Sequence, residues 1–184
     1  MMTRSLLALR IAALAALFGF ANVQSLPAAL TLEKQDRICI IGSGLADRMQ
    51  HDGWLETVLH TAYPKHYLTI RNLGYTGDTV WSRPRNRGFP SQDQYLKDIK
   101  ADVIFIMFGY NESFGGEGGL GKYRDELGKL VDNYRSMKPN GKSAPRIVLF
   151  SPIAHEDLGN PNLPDGKANN CLLYTSDAAD DQLG

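Results

Sequence analysis

The chain has 184 residues, of which 43% are hydrophobic and 22% charged, a composition typical of one globular domain with a sizeable core. Lys and Arg together number 20, as do Asp and Glu, so the formal net charge is zero. This balance excludes the basic face of a nucleic-acid-binding protein, and we expect no nucleic-acid partner. The sequence also lacks metal-ligand spacings, and the glycines at 115–121 lack phosphate-loop spacing. We therefore expect no cofactor and no metal.

The first 25 residues have the pattern of a secretory signal peptide. Arg4 and Arg10 precede the apolar run Ile11–Phe20. The small residues Ala21 and Ser25 follow the run and are candidate positions for signal-peptide cleavage. The run is shorter than the roughly 20 residues that a membrane-spanning helix needs. A retained N-terminal anchor is the alternative. We expect residues 1–25 to be removed and the protein to be secreted or periplasmic, without a stable membrane span.

The last 14 residues, Cys171–Gly184, do not read like natural protein sequence. They begin Cys-Leu-Leu-Tyr-Thr-Ser-Asp-Ala-Ala-Asp, which matches the translation of a transposon-end adapter used in sequencing libraries. We expect this tail to be non-native and the domain to occupy residues 35–170, incomplete at its C-terminus. The remaining cysteine, Cys39, lies in an apolar run, so no disulfide is predicted. We expect the natural protein to continue beyond Asn170. That it forms part of a longer chain with further domains is an open alternative.

Strands and helices alternate along residues 35–170. The isoleucine-rich segment Arg37–Ile41 predicts a strand buried on both faces. The long segment Val80–Gln94 is rich in Arg, Pro and Gly and is predicted to be an irregular loop. Strands that are separated by helices predict a parallel sheet in an α/β fold. The other predicted elements are a helix at Asp52–Tyr63, a strand at Tyr67–Leu73, a strand at Asp102–Phe108, a helix at Lys122–Met137 and a strand at Ile147–Phe150.

Three of the predicted strands run directly into turns of small residues, which we name the first, second and third motifs. They are Gly42–Leu45, Asn72–Thr79 and Phe108–Glu112. Parallel strands place all three motifs at one edge of the sheet, where ligands bind in open α/β folds. Glycine N–H groups and an asparagine amide that converge there can stabilise the oxyanion of an acyl-transfer reaction.

At these motifs the chain resembles the SGNH (GDSL-type) hydrolases. The family's Gly-Asp-Ser-Leu block aligns with Gly42–Leu45, its Asn-x-Gly-x-x-Gly-Asp block with Asn72–Asp78, and its Gly-x-Asn-Asp block with Gly109–Glu112. The resemblance implies a flavodoxin-like three-layer α/β/α sandwich with a parallel sheet. It also implies that the N–H of Gly77 and the side-chain amide of Asn111 contribute to an oxyanion hole. As alternatives, Gly77 is an ordinary turn glycine and Asn111 makes only a local hydrogen bond.

The chain departs from the family at two places. The nucleophile of the family is the third residue of the first block, which is Gly44 here, and Ser43 stands where the family has aspartate. The continuation Leu45–Asp47 matches the family and keeps the alignment in register. The Asp-x-x-His block, which would supply the base and its carboxylate, is absent, and the resemblance places it beyond Asn170.

Several roles are open for the serine and histidine residues near these motifs. Ser43 is a tentative catalytic nucleophile from a shifted position, but a helix N-cap is the favoured interpretation. His51 and His155 both lie near the predicted edge, and each is interpreted first as a surface or loop histidine.

Three functional hypotheses follow. The first is an exported esterase or deacylase that acts on a small-molecule or carbohydrate ester through an acyl-enzyme. The second is a non-catalytic SGNH-fold binding module of a larger secreted protein, in which the nucleophile has been lost. The third is hydrolysis without a covalent intermediate, in which an Asp–His pair activates water over the retained oxyanion hole.

Overall fold

A computed structural model describes residues 30–84, 88–163, 166–167 and 169–170 of the chain. The predicted signal peptide at residues 1–25 and the predicted non-native tail at residues 171–184 lie outside the described residues. Both therefore stay predictions. Within the described ranges, no helix has the length and apolar character that crossing a membrane requires.

The centre of the fold is a parallel sheet of four strands, which are β1 (Arg37–Gly42), β2 (Thr69–Asn72), β3 (Val103–Met107) and β4 (Arg146–Leu149). Their order across the sheet is β2-β1-β3-β4. Within it, Cys39 of β1 pairs with Arg71 of β2 on one side and with Ile104 of β3 on the other. The chain moves outward from β1 to β2 and then crosses to β3 on the opposite side, as in flavodoxin-like sheets.

Four α-helices of the described residues connect these strands. They are α1 (Gly44–Asp52), α2 (Trp54–Ala62), α3 (Gln92–Ile99) and α4 (Leu120–Met137). Helices α1 and α2 meet at Gly53, whose φ of 60° is left-handed and ends α1 in the manner that favours glycine.

Helix α3 corrects the sequence prediction, which treated Val80–Gln94 as irregular throughout. The helix begins at Gln92, and the side chain of Ser91 caps it by accepting a hydrogen bond from Gln94 N at 3.2 Å. A serine before a polar segment is a weak helix signal by itself. The helix is stabilised by Leu96, which is buried against the sheet, and the local sequence does not predict this tertiary contact.

The sheet is covered by helices on both faces, as the alternation along β1 requires. Cys39 and Ile41 face one apolar cluster, whereas Ile38 and Ile40 face the other. Complete burial of each of these isoleucine side chains contributes about 2 kcal/mol. The first cluster includes Leu96, Ile104, Ile106, Val131 and Tyr134, and the second includes Ala46, Leu55, Leu59, Val103 and Phe105. The predicted three-layer α/β/α sandwich is confirmed.

Cys39 is fully buried inside this sheet and is a free thiol. Burial raises its pKa from 9.0 to about 12, so the thiol is neutral and unreactive at physiological pH. Its role is that of a small apolar side chain in the core.

Candidate functional site

The first and second motifs are joined by hydrogen bonds at the carboxyl edge of the sheet. The amide of Asn72 donates to the carbonyl of Ala46 at 2.7 Å and accepts from Gly74 N at 2.8 Å. Tyr75 N donates to the carbonyl of Gly42 at 3.0 Å. A side chain at Gly74 would collide with Ala46, because an ideal Cβ there lies 2.5 Å from the Ala46 Cβ. This glycine lets the second motif lie directly on the start of α1.

The second and third motifs are joined through Asn111. Its side-chain Nδ2 donates to the carbonyl of Thr76 at 2.8 Å and to that of Asp78 at 2.9 Å. The buried carboxylate of Glu112 adds a second connection, because it accepts from the N–H of Val80, the residue directly after the second motif, at 2.7 Å. It also accepts from the N–H of Gly109, in its own motif, at 2.9 Å. The structure therefore brings all three motifs together at one edge.

Gly77 is exposed at the third position of a turn that Asp78 N closes by donating to Tyr75 O at 2.9 Å. An ideal Cβ at Gly77 would meet only the Tyr75 ring, at 3.6 Å, so the backbone fold there does not by itself require glycine. The turn interpretation fits this geometry. The role of its N–H in an oxyanion hole stays a prediction.

Asn111 is half-buried, and both hydrogens of its amide are donated to carbonyls of the second motif. The amide has two donor hydrogens, so a bound oxyanion would have to replace one of those carbonyls as acceptor. In the structure Asn111 holds the loop at 76–78, and its role toward substrate stays a prediction.

Ser43 occupies the N-cap position of α1, but its side chain makes no cap hydrogen bond. The residue is 1% exposed, and its Oγ has no hydrogen-bond partner among the described residues. Its backbone N–H is used, because it donates to Met107 O at 3.1 Å. The prediction of a capping hydroxyl is therefore wrong. The backbone approach to β3 turns the hydroxyl inward instead, and no described base contacts it.

Gly44 is the first residue of α1, and an ideal Cβ at this position has no atom within 4 Å. The position at which the family has its nucleophile is thus open, whereas the neighbouring Ser43 is enclosed. This contrast agrees with the register that the sequence alignment gives. That Gly44 stands at the nucleophile position of the family stays a prediction.

A serine–histidine contact that the sequence reasoning missed lies beside the third motif. Ser113 Oγ is 2.7 Å from His155 Nε2, and it donates to the carbonyl of Tyr110 at 2.6 Å. The imidazole stacks on the Tyr110 ring, with centroids 4.5 Å apart and planes 10° apart. Burial lowers the pKa of His155 from its ordinary value of 6.5. The sequence signal was available, since both residues follow parallel strands at the same edge.

His51 lies in the last turn of α1 and is exposed, which agrees with its interpretation as a surface histidine. Among the described residues there is no group of three or more His, Cys, Asp or Glu side chains that could hold a metal ion.

Comparison with solved structures identifies relatives of this fold. A catalytic mutant of the acetylxylan esterase Axe2 from Geobacillus stearothermophilus has a TM-score of 0.59 at 16% identity, covering 84% of this chain and 75% of that one. LAE5, an alpha/beta hydrolase enzyme from the metagenome of Lake Arreo, Spain, has a TM-score of 0.58 at 15% identity, covering 82% and 75%.

A third similar structure is BT4096, a gut microbial diltiazem-metabolizing enzyme, with a TM-score of 0.60 at 16% identity, covering 82% of this chain and 36% of that one. No protein-family model matches the chain, and no curated protein matches it by sequence. At these identities the similarity establishes the fold alone. The chain has an SGNH-like hydrolase fold, as its three motifs predicted.

Proposed function

We propose that this chain is an exported hydrolase of small-molecule or carbohydrate esters that stabilises an oxyanion at the carboxyl edge of its sheet. The observation that carries the proposal is the convergence of the three motifs, which Asn72, Asn111 and Glu112 hold together by hydrogen bonds. The acetylxylan esterase among the similar structures supports an ester as substrate.

The oxyanion would be held by backbone and amide donors without any metal. The first N–H groups of a helix lack partners within the helix, and their end of the helix dipole favours negative charge. Ser43 N–H is already donated to Met107, so the donors that α1 would offer begin with the N–H of Gly44. The N–H of Gly77 lies on the second motif. The amide of Asn111 lies on the third motif and would act as a donor by releasing the carbonyl of Thr76 or Asp78. Such donors typically contribute a factor of about 100 or more in rate each.

The attacking group in this proposal is water. A serine nucleophile needs a base within hydrogen-bond distance of its hydroxyl, and the Oγ of Ser43 has no such partner among the described residues. Gly44 cannot form an acyl-enzyme. Hydrolysis by activated water uses the oxyanion region without either residue as nucleophile.

Hydrolysis of p-nitrophenyl acetate by the wild-type chain and by Ser43→Ala tests the proposal. We expect turnover above the uncatalysed rate in both proteins, because water is the nucleophile. Loss of turnover only in Ser43→Ala would instead establish Ser43 as nucleophile and an acyl-enzyme route. A folded wild-type protein without turnover of any acetyl ester would contradict the hydrolase.

A non-catalytic binding module is the second candidate. The observation that favours it is the open position at Gly44, where the site has room for a nucleophile but no side chain. Calorimetric binding of an acetylated xylo-oligosaccharide, without its hydrolysis, would support this candidate.

A further inference from the structure

The backbone of His155 is held in place by the end of the described chain. His155 N donates to Asn170 Oδ1 at 2.7 Å, and Asn170 Nδ2 donates back to the His155 carbonyl at 3.1 Å. Gly166 packs so closely that an ideal Cβ would lie 2.5 Å from that carbonyl oxygen. Asn169 donates to the carbonyl of Ser113 at 3.1 Å. The segment after β4 thus folds back and anchors both members of the serine–histidine contact.

Two aromatic rings fix the plane of the imidazole. Tyr110 stacks against one face, and Phe114 meets the ring edge-on, with centroids 5.2 Å apart and planes 85° apart. The groups packed on the ring are these two aromatic rings and the Ser113 hydroxyl, and burial lowers the pKa of His155 from its ordinary value. The surroundings therefore favour a neutral imidazole.

The hydroxyl of Ser113 determines which imidazole nitrogen carries the proton. A hydroxyl has one hydrogen, and at 2.6 Å from the Tyr110 carbonyl it must donate that hydrogen to the carbonyl, which can only accept. The contact of 2.7 Å with His155 Nε2 is then made by Nε2–H donating to the Ser113 Oγ. Nδ1 is left with the lone pair, and no described residue makes a hydrogen bond to it.

His155 is also placed beside the residues of the proposed oxyanion region. Tyr110, on which it stacks, lies in the chain between Gly109 and Asn111. Pro152, three residues before His155, lies 3.0 Å from an ideal Cβ at Gly109. The loop after β4 therefore covers the third motif.

We propose that His155 is the general base of this site, acting through Nδ1 on a water molecule, and that Ser113 is the positioning residue that holds its tautomer. This inference rests on the proposed ester hydrolysis. It supplies a base from within the described residues, whereas the family resemblance places the base beyond Asn170. Ser113 itself is 2% exposed and commits its proton to Tyr110, so it is not the nucleophile.

The proposed reaction balances without an acyl-enzyme. Nδ1 takes a proton from water while the water oxygen bonds to the ester carbonyl carbon, giving a tetrahedral oxyanion. The bond from that carbon to the alcohol oxygen then breaks, and the imidazolium returns the proton to the leaving alcohol. The products are a carboxylic acid and an alcohol, and His155 is again neutral.

Hydrolysis of p-nitrophenyl acetate by wild type, His155→Gln, Ser113→Ala and the control His60→Gln tests the inference. His60 is exposed in the last turn of α2 and lies outside the site, so its variant controls for the loss of a histidine. We expect kcat to fall by about 100-fold or more in His155→Gln. We expect a smaller fall in kcat with an unchanged KM in Ser113→Ala, and no change in His60→Gln.

Nitrogen-15 NMR of the His155 ring gives a readout that does not depend on activity. We expect the Nε2–H tautomer in wild type at pH 7.5 and a mixture of tautomers in Ser113→Ala. If Ser113→Ala does not fold, because the Tyr110 carbonyl loses its donor, the wild-type spectrum and His155→Gln still decide the matter.

The outcomes separate this inference from the proposed function. An active wild type with an equally active, folded His155→Gln would overturn the general base and leave ester hydrolysis standing. A wild-type ring protonated on Nδ1 would also overturn it. A folded wild type without turnover would overturn both, and the loss of turnover in His155→Gln alone would support both.

Discussion

Replacement of Ser43 by alanine distinguishes a capping hydroxyl from a buried hydroxyl that has no partner. A serine that caps a helix typically contributes about 1 kcal/mol, so its loss lowers the free energy of unfolding. A buried polar group that lacks a partner costs about 1–3 kcal/mol, so its removal has the opposite sign. Ser43 is 1% exposed, and its Oγ has no partner among the described residues. We therefore expect Ser43→Ala to raise the free energy of unfolding by about 1 kcal/mol.

The same chain offers a matched control for this measurement. Ser91 caps α3 by accepting from Gln94 N at 3.2 Å, and Ser91→Ala is expected to lower the free energy of unfolding by about 1 kcal/mol. Urea titrations followed by circular dichroism measure both variants. For a domain of this size, each change corresponds to a shift of about 2–4 °C in Tm, upward for Ser43→Ala and downward for Ser91→Ala. A loss of stability in Ser43→Ala equal to that in Ser91→Ala would refute the reasoning.

Three further predictions concern the edge of the sheet. Glu112→Gln leaves a side-chain amide facing the N–H of Val80 or of Gly109, so we expect the free energy of unfolding to fall by about 2 kcal/mol in urea titrations. Gly44→Ser has open space, so its Tm should stay within about 2 °C of wild type, and a large loss would contradict the open position. Because burial lowers the pKa of His155 and a base must be neutral, kcat/KM should fall as the pH decreases, along an acid limb whose midpoint lies below pH 6.5. An acid limb above pH 7 would contradict this assignment.

The strands were predictable because their signal is local. Arg37–Ile41 and Asp102–Phe108 are continuous apolar segments, and the structure has strands at Arg37–Gly42 and Val103–Met107. Helix α3 was not predicted, because its stability comes from Leu96 packing under the sheet rather than from its polar local sequence.

The candidate site was predictable in position but not in detail. The strand-to-turn junctions located the three motifs at one edge, and the hydrogen bonds of Asn111 to the second motif agree with that placement. The direction of the Ser43 hydroxyl was predicted wrongly. Its orientation depends on the close approach of Gly42 and Ser43 to Met107, which the local sequence does not encode.

The sequence by itself determined a parallel α/β sheet with three small-residue motifs at its carboxyl edge, because hydrophobic pattern, glycine turns and the alternation of strands with helices can be recognised in short segments. Its resemblance to the SGNH hydrolases also predicts that Gly44 stands at the nucleophile position of that family. Only the tertiary structure decided which side chains meet there. Ser113 and His155 are 42 residues apart, and their contact exists because two parallel strands end side by side and the segment to Asn170 folds back over them.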